Sequence, residues 1–134
     1  MTNEAKLIWQ PSEQQCEQAR VTAFVHWLRE EKGLDFECYE ELWQWSVDEQ
    51  ASFWEAVTQY YNVEFYRPYS TVLGSSVMPG AQWFPGSELN FVEHLLRYKS
   101  LDTPALMYKS ESLGEGTISW AELYRQVGSL AHVL

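Results

Sequence analysis

The groups in this chain that could do chemistry are two thiols, three imidazoles, several adjacent carboxylate pairs, one glycine-rich turn and an aromatic phrase next to an asparagine. A nucleophilic thiol at Cys16 or Cys38 would need an electropositive setting, yet both stand among carboxylates. The two cysteines have no metal-ligand spacing, so both are expected to be reduced and structural. His26, His94 and His132 lie far apart on separate predicted helices. None has a carboxylate or cysteine at zinc-site spacing, and all three are expected to be helix-surface or half-buried residues. The pairs Glu30-Glu31, Glu40-Glu41 and Asp48-Glu49 could act as acid and base or gather a divalent cation. Adjacent carboxylates on helices are more simply solvated faces and first-turn charges favoured by the helix dipole. Gly114-Glu115-Gly116-Thr117 comes nearest to a phosphate loop, but it lacks a basic residue and reads as a hairpin turn. Trp83, Phe84 and Asn90 have the composition of a small-molecule pocket. The better account is that the two rings bury apolar area and Asn90 bonds nearby backbone, while Gly80 and Gly86 serve turns. No catalytic, cofactor-binding or metal-binding residue is therefore assigned.

The elements that would position these groups begin after residues 7 to 11, where Ser12 and Gln15 form a capping box and start a helix at Glu13. Cys16, Ala19, Arg20, Ala23, Phe24, Trp27 and Leu28 recur at helical spacing, and Gly33 is the natural stop. Asp35 is expected to cap a short second helix through Leu42 and Trp43, ending near Trp45. Ser46 with Glu49 repeats the box before a third helix from about Val47 to Tyr61. Residues 62–86 carry prolines and glycines without periodicity and read as irregular chain wrapping a surface, with one extended stretch at Val63 to Tyr66. Ser87 precedes a helical run through Leu89, Phe91, Val92, Leu95 and Leu96, ending around Arg97 to Ser100. Residues 104–110 read as a strand, the Gly114 to Gly116 segment as a turn, and Thr117 to Ser119 as the return strand. Ser119 with Glu122 opens a final helix whose apolar face is Leu123, Val127, Leu130, Ala131 and Leu134, and the chain stops inside that pattern. Without the partners of that face, the helix is expected to fray or self-associate. The fold class expected is mainly α with a small β-hairpin, an α+β arrangement.

A chain of 134 residues permits one ordinary domain. Hydrophobic content of 46% and charged content of 21% are globular values, no apolar run could span a bilayer, and the N-terminus lacks signal-peptide features. A soluble, cytoplasmic chain is expected. The net charge of −10 disfavours nucleic acid and membrane surfaces, which draw their affinity from Lys and Arg. The acidity is concentrated in residues 1–61, the predicted helical part.

Three phrases carry a resemblance: Leu-Ile-Trp-Gln-Pro-Ser at residues 7–12, Trp45-Ser46-Val47 with Phe53-Trp54, and the run from Met78 through Trp83-Phe84-Pro85-Gly86 to Leu89-Asn90. Together they resemble the amino-terminal region of the acetoacetate-CoA ligases, also called acetoacetyl-coenzyme A synthetases. The stretch Ile118 to Leu123 looks like the entry into the adenylation domain of the wider adenylate-forming superfamily. The resemblance implies a helical extension over residues 1–100, wrapping at 62–86, and the start of an α/β AMP-binding domain at residues 101–134. It implies that the complete enzyme uses ATP, magnesium and coenzyme A to convert acetoacetate to acetoacetyl-CoA through an acyl-adenylate. The sites would then lie beyond Leu134, the partner of this segment would be the rest of the adenylation domain, and the segment alone would be structural and inactive. The alternatives are a free-standing acidic helical module that binds a protein partner and the corresponding region of an acetyl- or propionyl-CoA synthetase.

Overall fold

The computed structural model describes residues 8–98 and 102–133, in two compact units. One comprises residues 8–63 with 69–86, the other residues 64–68 with 87–133. Leu7, Leu134 and the helix end expected as far as Ser100 lie outside the described residues.

In the first unit, α1 (Glu13–Glu17) has the expected capping box. The Gln15 N–H donates to Ser12 Oγ at 3.3 Å and the Ser12 N–H to Gln15 Oε1 at 2.9 Å. The single helix expected up to Gly33 is broken, however, because Ala19 is extended (φ −68°, ψ 143°) and α2 (Arg20–Lys32) begins after it. The break leaves no orphan at Cys16, whose carbonyl accepts from the Ala19 N–H at 3.2 Å and the Thr22 hydroxyl at 2.6 Å. Cys16 and Ala23 are exposed, so the buried part of the stripe is Phe24 and Leu28. Gly33 ends α2 in the left-handed conformation (φ 66°), as its type predicts.

Asp35 does not cap the next helix, because it pairs with Arg29 instead. The helix α3 (Tyr39–Asp48) starts three residues later than that cap would set it, and the Glu41 carboxylate accepts from the Glu37 N–H at 2.7 Å ahead of its first turn. The box at Ser46 and Glu49 also fails, since Ser46 Oγ donates to the Trp43 carbonyl at 2.7 Å inside a helix that continues. The joint falls at Glu49, with α4 (Gln50–Tyr60) beyond it. Phe24, Leu28, Leu42 and Ala56 form the core, with Trp27, Phe36, Trp45, Phe53 and Tyr60 packed round it. The surrounding rings meet mostly edge-on, as aromatic quadrupoles favour: Phe24 and Tyr60 centroids lie 5.1 Å apart, Trp45 and Phe53 5.7 Å.

Residues 69–86 are more ordered than their composition suggests. A two-stranded antiparallel sheet pairs β1 (Leu73–Ser75) with β2 (Gln82–Trp83), Leu73 opposite Trp83. Below it the Phe84 N–H donates to the Val72 carbonyl at 2.8 Å and the Ser70 N–H to that of Pro85 at 3.1 Å. The extended stretch expected at Val63 to Tyr66 is not a strand.

In the second unit, Arg67 and Glu88 form an isolated antiparallel bridge. The helix α5 (Phe91–Leu96) is capped by Asn90, not Ser87, and Asn90 Oδ1 accepts from the Val92 and Glu93 amides at 3.0 and 3.4 Å. Thus Asn90 bonds nearby backbone, as expected. The strand β3 (Pro104–Ser110) has its expected bounds, but β4 (Gly114–Ser119) begins three residues earlier than the return strand expected at Thr117, and the turn is residues 111–113. Gly116 lies beneath Tyr108, whose Oη would sit 2.6 Å from a Cβ placed there. In α6 (Trp120–Val133), Ser119 Oγ accepts from the Glu122 N–H at 3.2 Å, which is half of the expected box. The other half is missing because the Glu122 carboxylate is taken by Arg125 at 2.7 Å and Gln126 at 2.6 Å. The mainly α, α+β character holds, with two hairpins in place of one. Among the described residues no helix is long and apolar enough to cross a membrane.

Burial differs sharply between the units. Leu96 is the one buried hydrophobic of the second unit among the described residues, and α6 buries none. Leu28→Ala should therefore cost about 2–5 kcal/mol in urea unfolding, whereas Leu130→Ala, 62% exposed on α6, should stay within about 0.5 kcal/mol. Equal effects would contradict this placement of the core.

Candidate functional site

A concavity rich in aromatic residues lies in the first unit where α4 meets the β1–β2 hairpin. Trp54 projects from α4 and Trp83 ends β2, their ring centroids 6.0 Å apart at 65°. Phe84 follows with φ 48°, an uncommon backbone conformation for a bulky residue. Its ring meets Tyr69 edge-on at 5.1 Å, and Tyr69 Oη donates to a Glu55 carboxylate oxygen at 3.3 Å. Burial, with the adjacent Glu55 charge and hydrogen bond, holds the Tyr69 phenol above its ordinary pKa. Trp54, Trp83 and Phe84 line an open cleft of about 270 Å³. It adjoins a groove of about 390 Å³ that shares both tryptophans and is walled by Ser46, Gln50, Leu73 and Met78.

The second unit holds a smaller polar recess of about 150 Å³, lined by Glu64, Tyr66, Asn90, Glu93 and His94 among others. The Tyr66 hydroxyl donates to the Glu93 carboxylate. His94 Nδ1, on a residue of this recess, and Trp120 Nε1, at the start of α6, are buried without hydrogen-bond partners among the described residues.

The residues considered from sequence are not brought together into a reaction centre. His26 and His132 are exposed on α2 and α6, and His94 is half-buried on α5. Cys16 and Cys38 are free thiols, as expected, and both are exposed. Glu30 and Glu31 are solvated on α2, as are Glu40 and Glu41 in the first turn of α3. Asp48 accepts from Gln44 Nε2 at 2.8 Å, and Glu49 sits at the helix joint. Among the described residues no group of three or more His, Cys, Asp or Glu could hold a metal ion. Gly114 to Thr117 belong to the β3–β4 ladder and not to a phosphate-cradling loop. Trp83 and Phe84 do pack as rings, but against Trp54 and Tyr69. Sequence reasoning missed Trp54 as their partner, because nothing local announces a contact across 29 residues; the positive φ of Phe84 had no residue-type signal either.

Residues 39–95 match the family described as the acetyl-coenzyme A synthetase N-terminus. The acetoacetyl-CoA synthetase of Danio rerio is 33% identical over 131 residues, covering 96% of this chain. The acetoacetyl-coenzyme A synthetase of Rhizobium meliloti is 31% identical over 127 residues, covering 95%. The solved structure of acetoacetyl-CoA synthetase from Streptomyces lividans is 47% identical, covers 97% of this chain and superposes with a TM-score of 0.86. Over nearly its whole length the chain is similar in sequence and fold to acetoacetyl-CoA synthetases. It spans about a fifth of those relatives: 19% of either curated acetoacetyl-CoA synthetase and 21% of the solved one. The expected resemblance to acetoacetyl-CoA synthetases is therefore met, and the alternative of an unrelated interaction module is not favoured.

Tyr69 links the surroundings of the candidate cleft to pH. Its pKa is raised in the folded state, so its contribution to stability is complete below the unfolded value of about 10 and is lost as pH rises through the higher folded value. Thermal unfolding of Tyr69→Phe should accordingly show a shallower alkaline decline than the parent chain above pH about 10. Parallel declines would remove the Tyr69–Glu55 coupling.

Proposed function

We propose that this chain supplies the amino-terminal part of an acetoacetate-CoA ligase. That enzyme joins acetoacetate to ATP as an acyl-adenylate with loss of pyrophosphate, then passes the acyl group to the coenzyme A thiol with release of AMP. The observation that carries the reading is 47% identity to an acetoacetyl-CoA synthetase across 97% of the chain. Residues 1–100 act as a helical extension that wraps at 62–86, and residues 101–134 begin the adenylation domain. The role of the segment is structural. Acetoacetate, ATP, magnesium and coenzyme A are held by other parts of the enzyme, which works in the cytoplasm without a nucleic-acid or membrane partner.

The surface of the second unit supports a structural role. Leu130 and Val133 are 62% and 82% exposed on α6, and β3 leaves Leu106 and Met107 open. Apolar surface kept in water forgoes about 25 cal/mol per Å², so this unit gains most when more of the same protein covers it. The isolated chain should self-associate through α6 in sedimentation velocity, and Leu130→Glu should shift it toward monomer; a parent chain that stays monomeric at high concentration would remove that expectation.

Acetoacetate-dependent exchange between ATP and pyrophosphate tests the function. The 134-residue chain alone should give none, whereas a longer protein carrying it should exchange with acetoacetate in preference to acetate. Exchange by the short chain would overturn the structural role, and a longer protein without acetoacetate-dependent exchange would overturn the ligase reading.

A further inference from the structure

The geometry points to the cleft of Trp54, Trp83 and Phe84 as a receptor for the cationic head of an arginine or lysine presented by a protein segment. Three aromatic rings wall this cleft, with the two indoles inclined at 65°. A cation is attracted to aromatic faces, and to indole most strongly.

Charge around the cleft selects the same occupant. In the segments of the first unit that build it, no Lys or Arg occurs from Gly33 through Val63 or from Tyr69 through Gly86. Carboxylates do occur in these stretches: Asp48 and Glu49 lie in sequence between Val47 and Gln50 of the groove wall, and Glu55 accepts from Tyr69, whose ring meets Phe84. An anionic partner is repelled by this field, and a purely apolar one gains nothing from it.

The backbone of Phe84 is the second sign. At φ 48° it occupies a region that costs a bulky side chain free energy, and such strain concentrates at binding positions. The conformation keeps the ring on the cleft wall beside Trp83. The adjoining groove of about 390 Å³, with apolar Leu73 and Met78 opposite polar Ser46 and Gln50, has room for the residues flanking the cation. That extension distinguishes a basic protein segment from a free small cation.

The test titrates the full 134-residue chain with acetylated, amidated Ala-Leu-Arg-Leu-Ala, with the same peptide carrying norleucine for arginine, and with tetramethylammonium, following the Trp54 and Trp83 indole NMR signals. The arginine peptide should shift both signals, bind about tenfold more tightly than the norleucine peptide, bind more tightly than tetramethylammonium, and weaken as salt rises. Trp83→Leu should abolish the shifts. Trp43→Leu, exposed on α3 outside the groove, should leave binding unchanged, and Asp48→Asn with Glu49→Gln should weaken it several-fold without disturbing the fold. Equal binding of the norleucine peptide, tetramethylammonium binding as tightly as the peptide, no shift with any probe, or indifference to the carboxylate substitutions would each overturn the proposal. None of these outcomes depends on whether the longer protein is a ligase.

Discussion

Leu28 leaves water completely because Phe24 one turn earlier, Leu42 on α3 and Ala56 on α4 close over it, and that mutual cover holds three short helices against one another. None of these helices would persist alone at 10 to 13 residues, since isolated helices of such length are marginal in water. Ala56 is buried in the same core, with Phe53 and Tyr60 of its own helix packed against the cluster. The cleft inherits its position from this packing through Trp54 of α4.

The second unit rests on a different balance. Its ordered features are backbone ladders and caps: the Arg67–Glu88 bridge, the Asn90 cap and the β3–β4 pairing. The ion pairs that decorate it, Lys109 with Glu115 and Arg125 with Glu122, are largely exposed and contribute little to stability. An α-helix of 14 residues without a buried side chain, next to a two-stranded sheet with open edges, has local order without a core of its own. Such a unit is suited to being built upon.

Local chemistry was legible wherever one residue type had one available partner. Ser12 with Gln15, Gly33 at a helix end, Asn90 before a helix and the strand from Pro104 to Ser110 all behave as their types dictate. Legibility failed where a side chain had a competing partner. Asp35 went to Arg29 and Ser46 to the Trp43 carbonyl, and each choice moved a helix boundary. The β1–β2 hairpin was hidden because two rungs are too few to show an alternating pattern. The cleft was hidden because Trp54 and Trp83 meet only through the tertiary fold, and a tryptophan's neighbours cannot be read from its spacing.

The placement of Tyr108 across from Gly116 also governs how β3 and β4 can align. The ring covers the glycine backbone, supplying the contact that a glycine in a strand otherwise lacks. A slip of one residue would set the same ring against Glu115 or Thr117, whose side chains fill that space, and would turn every strand residue to the opposite face. One missing methyl group thus acts as a keyhole: the hairpin locks in a single alignment by exclusion of the neighbouring ones, before any covering protein arrives to select it.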